Sequence, residues 1–440
     1  MKVALVALSG IAVRNPELVS LGVTLPGFVD RGKVIASLPS LGLLTIAGAT
    51  PRDVELTYFE AKDVDAEQLA DARFDLVAVS TFTAQAPVAY ALLDDCRARG
   101  LRTAMGGLHA TVLPDEAQAH ADHVFVGEAE ETWPEFLADL AAGRAKARYD
   151  ATGRVFPFER APLPRYDLLQ PDRYDRLTVQ STRSCPHQCR FCASGVLLRG
   201  PYRKKPVDLV RRDVDAILAR WPGAFLELAD DDTFVDARYG LQLVETLRAA
   251  GVHWFTETDV SVADHDDLLD ALEGSGCRQL LIGLEALDAA GVAELEDRAF
   301  KAPRVSRYAE AVRKIQARGV SVNGFFVLGA DHQTPADVGR IVAFARDVGL
   351  AEVQVTVLTP FPGTPLHREL AAAGRLLQPV DWGCYTLFDV VFRPARMSVA
   401  ELEGALRDAL ARLYAPDAVR ARRHAFHAQV RAGRRQHGAA

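Results

Sequence analysis

The chain has 440 residues, 49% of them hydrophobic and 25% charged, the balance of an ordinary folded protein with room for two or three domains. A net charge of −7 and a pI near 5.9 speak against general nucleic-acid binding, and no apolar run reaches the roughly 18–20 residues that span a bilayer. Six cysteines, three of them in one short loop, fit a reducing cytoplasm better than a disulfide framework.

In chain order, residues 1–143 alternate short β-rich runs (2–8, 54–59, 76–80, 102–105 and 123–126) with helical stretches (40–49, 87–99, 113–119 and 132–142). The apolar start reads as a buried strand rather than a signal segment, because no small-residue cleavage site follows. Such alternation predicts a parallel sheet with both faces covered, which receives ligands beyond the carboxyl ends of its strands. Polar and glycine-rich runs fall at those ends: Ser80-Thr81-Phe82-Thr83, Gly106-Gly107-Leu108-His109 and Gly127-Glu128. Residues 144–176, rich in Arg, Pro, Asp and Tyr, read as a linker along the surface. A second αβ series fills residues 177–365, with strands at 177–180, 225–228, 254–256, 279–282, 320–328 and 352–358. Helices intervene at 207–220, 237–250, 265–274, 306–318 and 334–348. Residues 366–440 form a C-terminal α-rich segment with a helix at 398–414. Its Arg-rich end, without an acidic residue after Asp417, reads as a solvated helix or disorder.

Chemistry concentrates in Cys185, Cys189 and Cys192, spaced CxxxCxxC after the first strand of the second series. Thiolates hold zinc or iron–sulfur clusters. A structural zinc site with His187 as a further ligand would need a second cysteine pair downstream, and Cys96, Cys277 and Cys384 are isolated. Three ligands on a four-iron cluster leave one iron open. With Phe191 directly before the last cysteine, the loop resembles that of the radical S-adenosylmethionine (SAM) enzymes, in which SAM chelates the open iron.

Further motifs stand in register with the loop. Asp231, Asp232 and Phe234, after the second strand, resemble an acidic run of that superfamily; carboxylates there can accept hydrogen bonds from the SAM ammonium. Gly283-Leu284-Glu285 resembles the Gly-x-Glu that faces SAM, and Asn323-Gly324 resembles a fifth strand whose backbone approaches the adenosine. Thr359-Pro360-Phe361-Pro362-Gly363-Thr364-Pro365 resembles the end of the barrel. Together with Gly106-Gly107-Leu108-His109-Ala110-Thr111 and Gly127-Glu128, these place the chain beside the cobalamin-binding-domain radical SAM family, near its hopanoid methylases and anaerobic porphyrin-ester cyclase. The resemblance implies a Rossmann-like cobalamin-type domain, a partial (β/α)6 barrel, and three cofactors: a 4Fe-4S cluster, SAM and cobalamin. Ser80, Thr81, Thr83, Gly106, Gly107, Gly127 and Glu128 would seat the corrin; Asp231, Asp232, Glu285 and Asn323 would position SAM.

The Asp-x-His-x-x-Gly string that gives cobalt a histidine in methionine-synthase-like domains is absent. His109 reads as a loop residue, His120 and His123 as on or beside a surface helix. The implied reaction cleaves SAM to a 5′-deoxyadenosyl radical, removes hydrogen from an unactivated carbon of a small molecule, and transfers a methyl group from methylcobalamin, with flavodoxin or ferredoxin as electron donor. Two rivals stand beside it: cyclisation or rearrangement without methyl transfer, and a non-catalytic zinc-binding scaffold. Tyr202, Glu257, Cys277 and Cys384 fit packing or solvated roles better than substrate contact.

Overall fold

The run Val-Ala-Leu-Val-Ala after Lys2 has no polar side at all, the signature of a strand buried on both faces. In the computed structural model, which describes residues 1–8, 10–20, 34–35, 38–170, 173–197 and 200–437, Val3 to Ala7 are each 0% exposed. This strand, β1 (Lys2–Ala7), lies second from one edge of an all-parallel sheet with β2 (Glu55–Glu60), β3 (Leu76–Thr81), β4 (Arg102–Gly107), β5 (His123–Val126) and β6 (Arg148–Asp150) in the order β2-β1-β3-β4-β5-β6. Helix Ala86–Ala98 covers one face, helices Leu41–Ala49 and Thr132–Ala141 the other. The chain leaves β1 in opposite directions to β2 and β3, so a switch point lies there, the place where such sheets form a ligand crevice.

The second sheet runs strictly in sequence: β7 (Leu177–Val179), β8 (Phe225–Leu228), β9 (His253–Thr258), β10 (Cys277–Glu285), β11 (Ser321–Leu328) and β12 (Glu352–Val357), all parallel. Five amphipathic helices, Val207–Leu218, Ala237–Ala250, Asp266–Leu272, Tyr308–Ala317 and Asp337–Val348, pack their Leu, Val and Ile stripes on its outside. The result is the expected six-stranded partial barrel.

Several expectations need correction. The stretch read as linker begins with β6, whose Tyr149 is buried against Phe125 and Phe136. His109 is not in a loop: helix Leu108–Val112 carries it, fully buried, with Nε2 2.9 Å from the Tyr90 hydroxyl and its ring edge-on to Trp382. Trp382 reaches it from the C-terminal segment and donates to Glu116 at 2.9 Å. His123 lies buried in β5. The Arg-rich tail forms helix Pro416–His437 and is docked rather than solvated: Gln316 donates to Gln429 at 2.7 Å, and a Cβ on Gly433 would lie 2.1 Å from the Ala317 carbonyl oxygen. Residues 171–172 of the linker and 438–440 of the tail lie outside the described residues. No helix among the described residues is long and apolar enough to cross a membrane.

Candidate active site

The cysteine loop hangs from β7 through Asp230. This carboxylate, fully enclosed at the turn after β8, accepts from the Ser181 and Thr182 amides at 2.8 and 2.9 Å and from the Thr233 hydroxyl at 2.9 Å. The first member of the acidic run is therefore a clamp. Beyond it Ser184 adopts φ 70°, a left-handed turn costly for a residue with a side chain. Backbone bonds from Arg190 to Leu295, Asp297 to Gln188 and Leu366 to Arg190 hold the far side of the loop.

Cys185, Cys189, Phe191 and Cys192 then line a cavity of about 820 Å3 at the carboxyl end of the barrel, together with Asp231, Asp232 and Glu285. Burial pushes the Cys185 thiol up and the Cys189 thiol to about 12, so metal binding must release their protons. His187 stands close to the thiols, and Cys185, His187 and Asp232 bring ligand atoms within 4.8 Å of one another, a group that could hold a metal ion, but its ring is already engaged. Its Nε2 lies 2.9 Å from Asp259 and 3.4 Å from Asp232, and its ring stacks on Phe300. Burial alone would lower its pKa, yet hydrogen bonds to Asp232 and Asp259 raise it to about 9.

Glu285 ends β10 after a bulge at Gly283 and has φ 60°. One carboxylate oxygen takes a hydrogen bond from Lys301 at 2.6 Å; the other, Oε2, is buried and unpartnered. Gly283 makes room for this pair, since a Cβ there would lie 2.5 Å from Glu285 and 2.9 Å from Lys301. Asp231 likewise has an unpartnered buried Oδ2, and burial raises its pKa despite hydrogen bonds from Ser194 and Ser184. Asn323 is brought elsewhere. It faces the barrel interior further down β11, with both side-chain atoms buried and unpartnered, and does not line the cavity. Nor does Gly324 open the strand to a ligand: a Cβ there would press on Leu350 and Leu284 of the outer layer, so its missing side chain serves packing.

The first sheet has its own cavity of about 530 Å3 at the switch point, lined by Ser80, Thr81, Gly106, Gly107, Gly127 and Glu128 with apolar side chains of helix Leu41–Ala49. Gly107 has φ 94°, and a Cβ there would meet the Thr81 backbone at 2.6 Å, so β3 and β4 can close up only around glycine. Thr83 is fully buried but not part of the lining. Glu128 lines the cavity while its carboxylate is committed across the domain boundary: it accepts from Arg183 at 2.6 Å and from Arg203 at 2.9 Å. Arg183 also reaches Glu130 at 2.7 Å. Burial raises the Glu128 pKa, but the two guanidiniums and the Phe156 amide hold it below the usual carboxylate range.

One wall separates the cavities. Arg183 and Ala229 line the first, and Ser184 and Asp231 the second. Both strand sets thus present their carboxyl ends to a shared boundary. Sequence reasoning missed Asp259, Lys301 and Arg183. Asp259 stands at a strand's carboxyl end and was open to the rule applied to Asp231; Lys301 sits in an aperiodic stretch that carries no signal.

The donor sets suit the three expected cofactors: three enclosed thiols beside two orphaned carboxylate oxygens for a cluster and SAM, and a wide, largely uncharged crevice cut by glycines for a corrin. Comparisons with known proteins agree. Residues 29–137 match the B12 binding domain and residues 179–345 the radical SAM superfamily. Bacteriochlorophyllide d C-12(1)-methyltransferase of Chlorobaculum tepidum is 25% identical over 85% of this chain and 81% of its own length. The hopanoid C-2 methylase of Rhodopseudomonas palustris is 25% identical over 78% of this chain, which spans only 66% of that protein. The cobalamin-dependent SAM radical enzyme OxsB, solved with aqua-cobalamin and SAM bound, superposes with a TM-score of 0.68 at 12% identity, over 92% of this chain and 65% of that one. A B12-binding domain followed by a radical SAM barrel makes this chain a member of the cobalamin-binding-domain radical SAM family.

Proposed function

We propose that this radical SAM enzyme is a cobalamin-dependent methyltransferase that acts on an unactivated carbon of a small molecule. The observation that carries the reading is the single wall between the cavities: a methyl donor seated at the first sheet and a substrate held in the barrel would be neighbours. When bound, the cluster supplies an electron to the SAM sulfonium and methylcobalamin supplies the methyl group.

This chain's residues would divide the work as follows. Cys185, Cys189 and Cys192 bind the cluster, and Phe191 packs beside it. Asp231 and Glu285 offer their orphaned oxygens to SAM, with Lys301 fixing the Glu285 carboxylate. His187, bound to Asp232 and Asp259, stiffens the cysteine loop. Ser80, Thr81, Gly106, Gly107 and Gly127 shape the corrin crevice, and Arg183 with Glu128 and Glu130 locks the two domains in register. We assign residues 1–143 to the cobalamin domain, 144–176 to the connection, 177–365 to the barrel and 366–440 to the C-terminal segment. A cytoplasmic setting with flavodoxin or ferredoxin as reductant, and no nucleic-acid partner, suits the acidic surface and the free thiols.

The test is product analysis on anaerobically reconstituted protein with methyl-labelled SAM. Labelled methyl in the product together with released 5′-deoxyadenosine is expected. Deoxyadenosine without label in any product would transfer the assignment to a cyclase or rearrangement enzyme.

A further inference from the structure

Six carboxylates (Asp231, Asp232, Glu257, Asp259, Glu285 and Asp297) and three cationic side chains (His187, Lys301 and Arg368) line the barrel cavity. Two of the cations are taken: Lys301 by Glu285, His187 by Asp259 and Asp232. Glu257 faces the cavity from β9 with no hydrogen bond or ion pair to its side chain among the described residues. Its side chain is exposed to the cavity, and desolvation by the barrel walls followed by the charges of Glu227, Asp231, Asp230 and Asp232 pushes its carboxyl up to about 8.

Depth sets Glu257 apart from Glu285, while its backbone carbonyl accepts from the Thr233 amide next to Asp232 at 3.1 Å. It is in register with Leu281, four residues before Glu285 on the neighbouring strand, roughly 13 Å deeper along the barrel at the usual strand rise. Across the interior, Gln354 of β12 lines the same cavity, only 6% exposed, with Oε1 buried and unpartnered. The inner cavity therefore presents the Glu257 carboxyl, without a cationic partner, beside the Gln354 amide and the apolar side chains of Phe325, Val327, Leu358 and Phe361. A cationic ligand group would supply the opposite charge that the Glu257 carboxylate lacks.

We propose that Glu257 is a specificity-determining residue for substrate: with Gln354 it receives a protonated nitrogen, so the substrate is an organic cation with an apolar body, an amine or comparable base. This rests on the methyltransferase reading only in taking the inner cavity as the substrate's place.

The test uses the holoenzyme, reconstituted without air, saturated with SAM and left unreduced so that no turnover occurs. Calorimetry compares three probes of one shape: 4-phenylbutylammonium, 4-phenylbutanol and 4-phenylbutyrate. The ammonium is expected to bind at least about tenfold more tightly than the alcohol, with the carboxylate weakest. Glu257→Gln should erase that preference and Glu257→Asp retain part of it, while iron and cobalamin contents stay equal in all three proteins. Equal binding of ammonium and alcohol by the wild-type protein, an unchanged preference in Glu257→Gln, or no ammonium binding at millimolar concentration would overturn the proposal. Because no methyl transfer is measured, these outcomes are separate from the labelled-methyl assay: either reading can fail while the other stands.

Discussion

The two cavities do their work with different materials. At the first sheet the crevice is made by backbone and by what is left out: Gly106, Gly107 and Gly127 beside Ser80 and the apolar side of helix Leu41–Ala49, with its charged members pinned in ion pairs. The barrel cavity is made by what is put in, three thiols and nine ionisable side chains, several of them holding one another in place. A large, flat cofactor of modest charge needs room and shape. A sulfonium reagent and a metal cluster need compensating charges at fixed positions, and these are stable inside a protein only when paired.

The largest separation between the halves is expected from Cys189→Ala. Loss of one thiolate should abolish reductive SAM cleavage, a fall of at least about 1000-fold on the scale of removing an essential group, read as released 5′-deoxyadenosine. Cobalamin uptake, followed by absorbance, should remain stoichiometric. Retained cleavage at the wild-type rate would show that Cys189 is no cluster ligand.

Arg183→Met attacks the seam. It strands the Glu130 carboxylate at a cost of about 3–5 kcal/mol, leaves Glu128 with Arg203 as its one guanidinium, and removes the guanidinium that stacks 4.6 Å from the Phe158 ring centre. One cooperative unfolding transition should split into two. A single transition with an unchanged midpoint would mean that Arg183 does not couple the domains.

Gly107→Ala sharpens the same contrast from the other side. Its φ of 94° and the 2.6 Å approach to the Thr81 backbone leave no place for a methyl group, so β3 and β4 must separate at roughly 2–3 kcal/mol. Cobalamin affinity should drop while iron content and SAM binding hold. Full cobalamin loading at wild-type affinity would refute the glycine-built crevice.

This contrast also explains what could be read from the chain alone. Both strand series were legible because β1 to β5 and β7 to β12 are apolar runs separated by amphipathic helical periods. The thiols, Asp231, Asp232 and Glu285 were legible because reactive residue types at strand ends announce chemistry whatever surrounds them. The short β6 was hidden in a Pro- and Arg-rich stretch, and the docked tail helix was hidden because its contacts are made by Gly433, Ala425 and Gln429, which carry no apolar stripe. Asn323 and Thr83 were expected at cofactors because their runs resemble the family's; Asn323 lies on the side of β11 that faces the cavity but too deep to line it, a depth that only pairing with a neighbour fixes, and Thr83 is buried in a 3-10 turn beyond the end of β3. Lys301 illustrates the remaining limit: its role exists only because a loop after helix Ala289–Leu295 returns to Glu285.

The smallest expected effect concerns Glu257, and its sign is worked out from linkage. Its carboxyl lies at about 8 in the folded chain, above the ordinary glutamate value of 4.5, because burial and the neighbouring carboxylates oppose its charge. The folded state therefore holds a proton that the unfolded state has released, and stability falls as pH rises between the two values. Glu257→Gln removes this dependence. Solvent reaching the group through the open cavity screens the effect, leaving a difference on the order of 1 kcal/mol at the upper end of that window. Urea midpoints of the two proteins without SAM should match near pH 5 and diverge in favour of the glutamine variant toward pH 8. Parallel curves across the window would mean that the carboxyl already has a partner, and the barrel cavity would lose the unmatched acceptor that separates it from the neutral crevice of the first sheet.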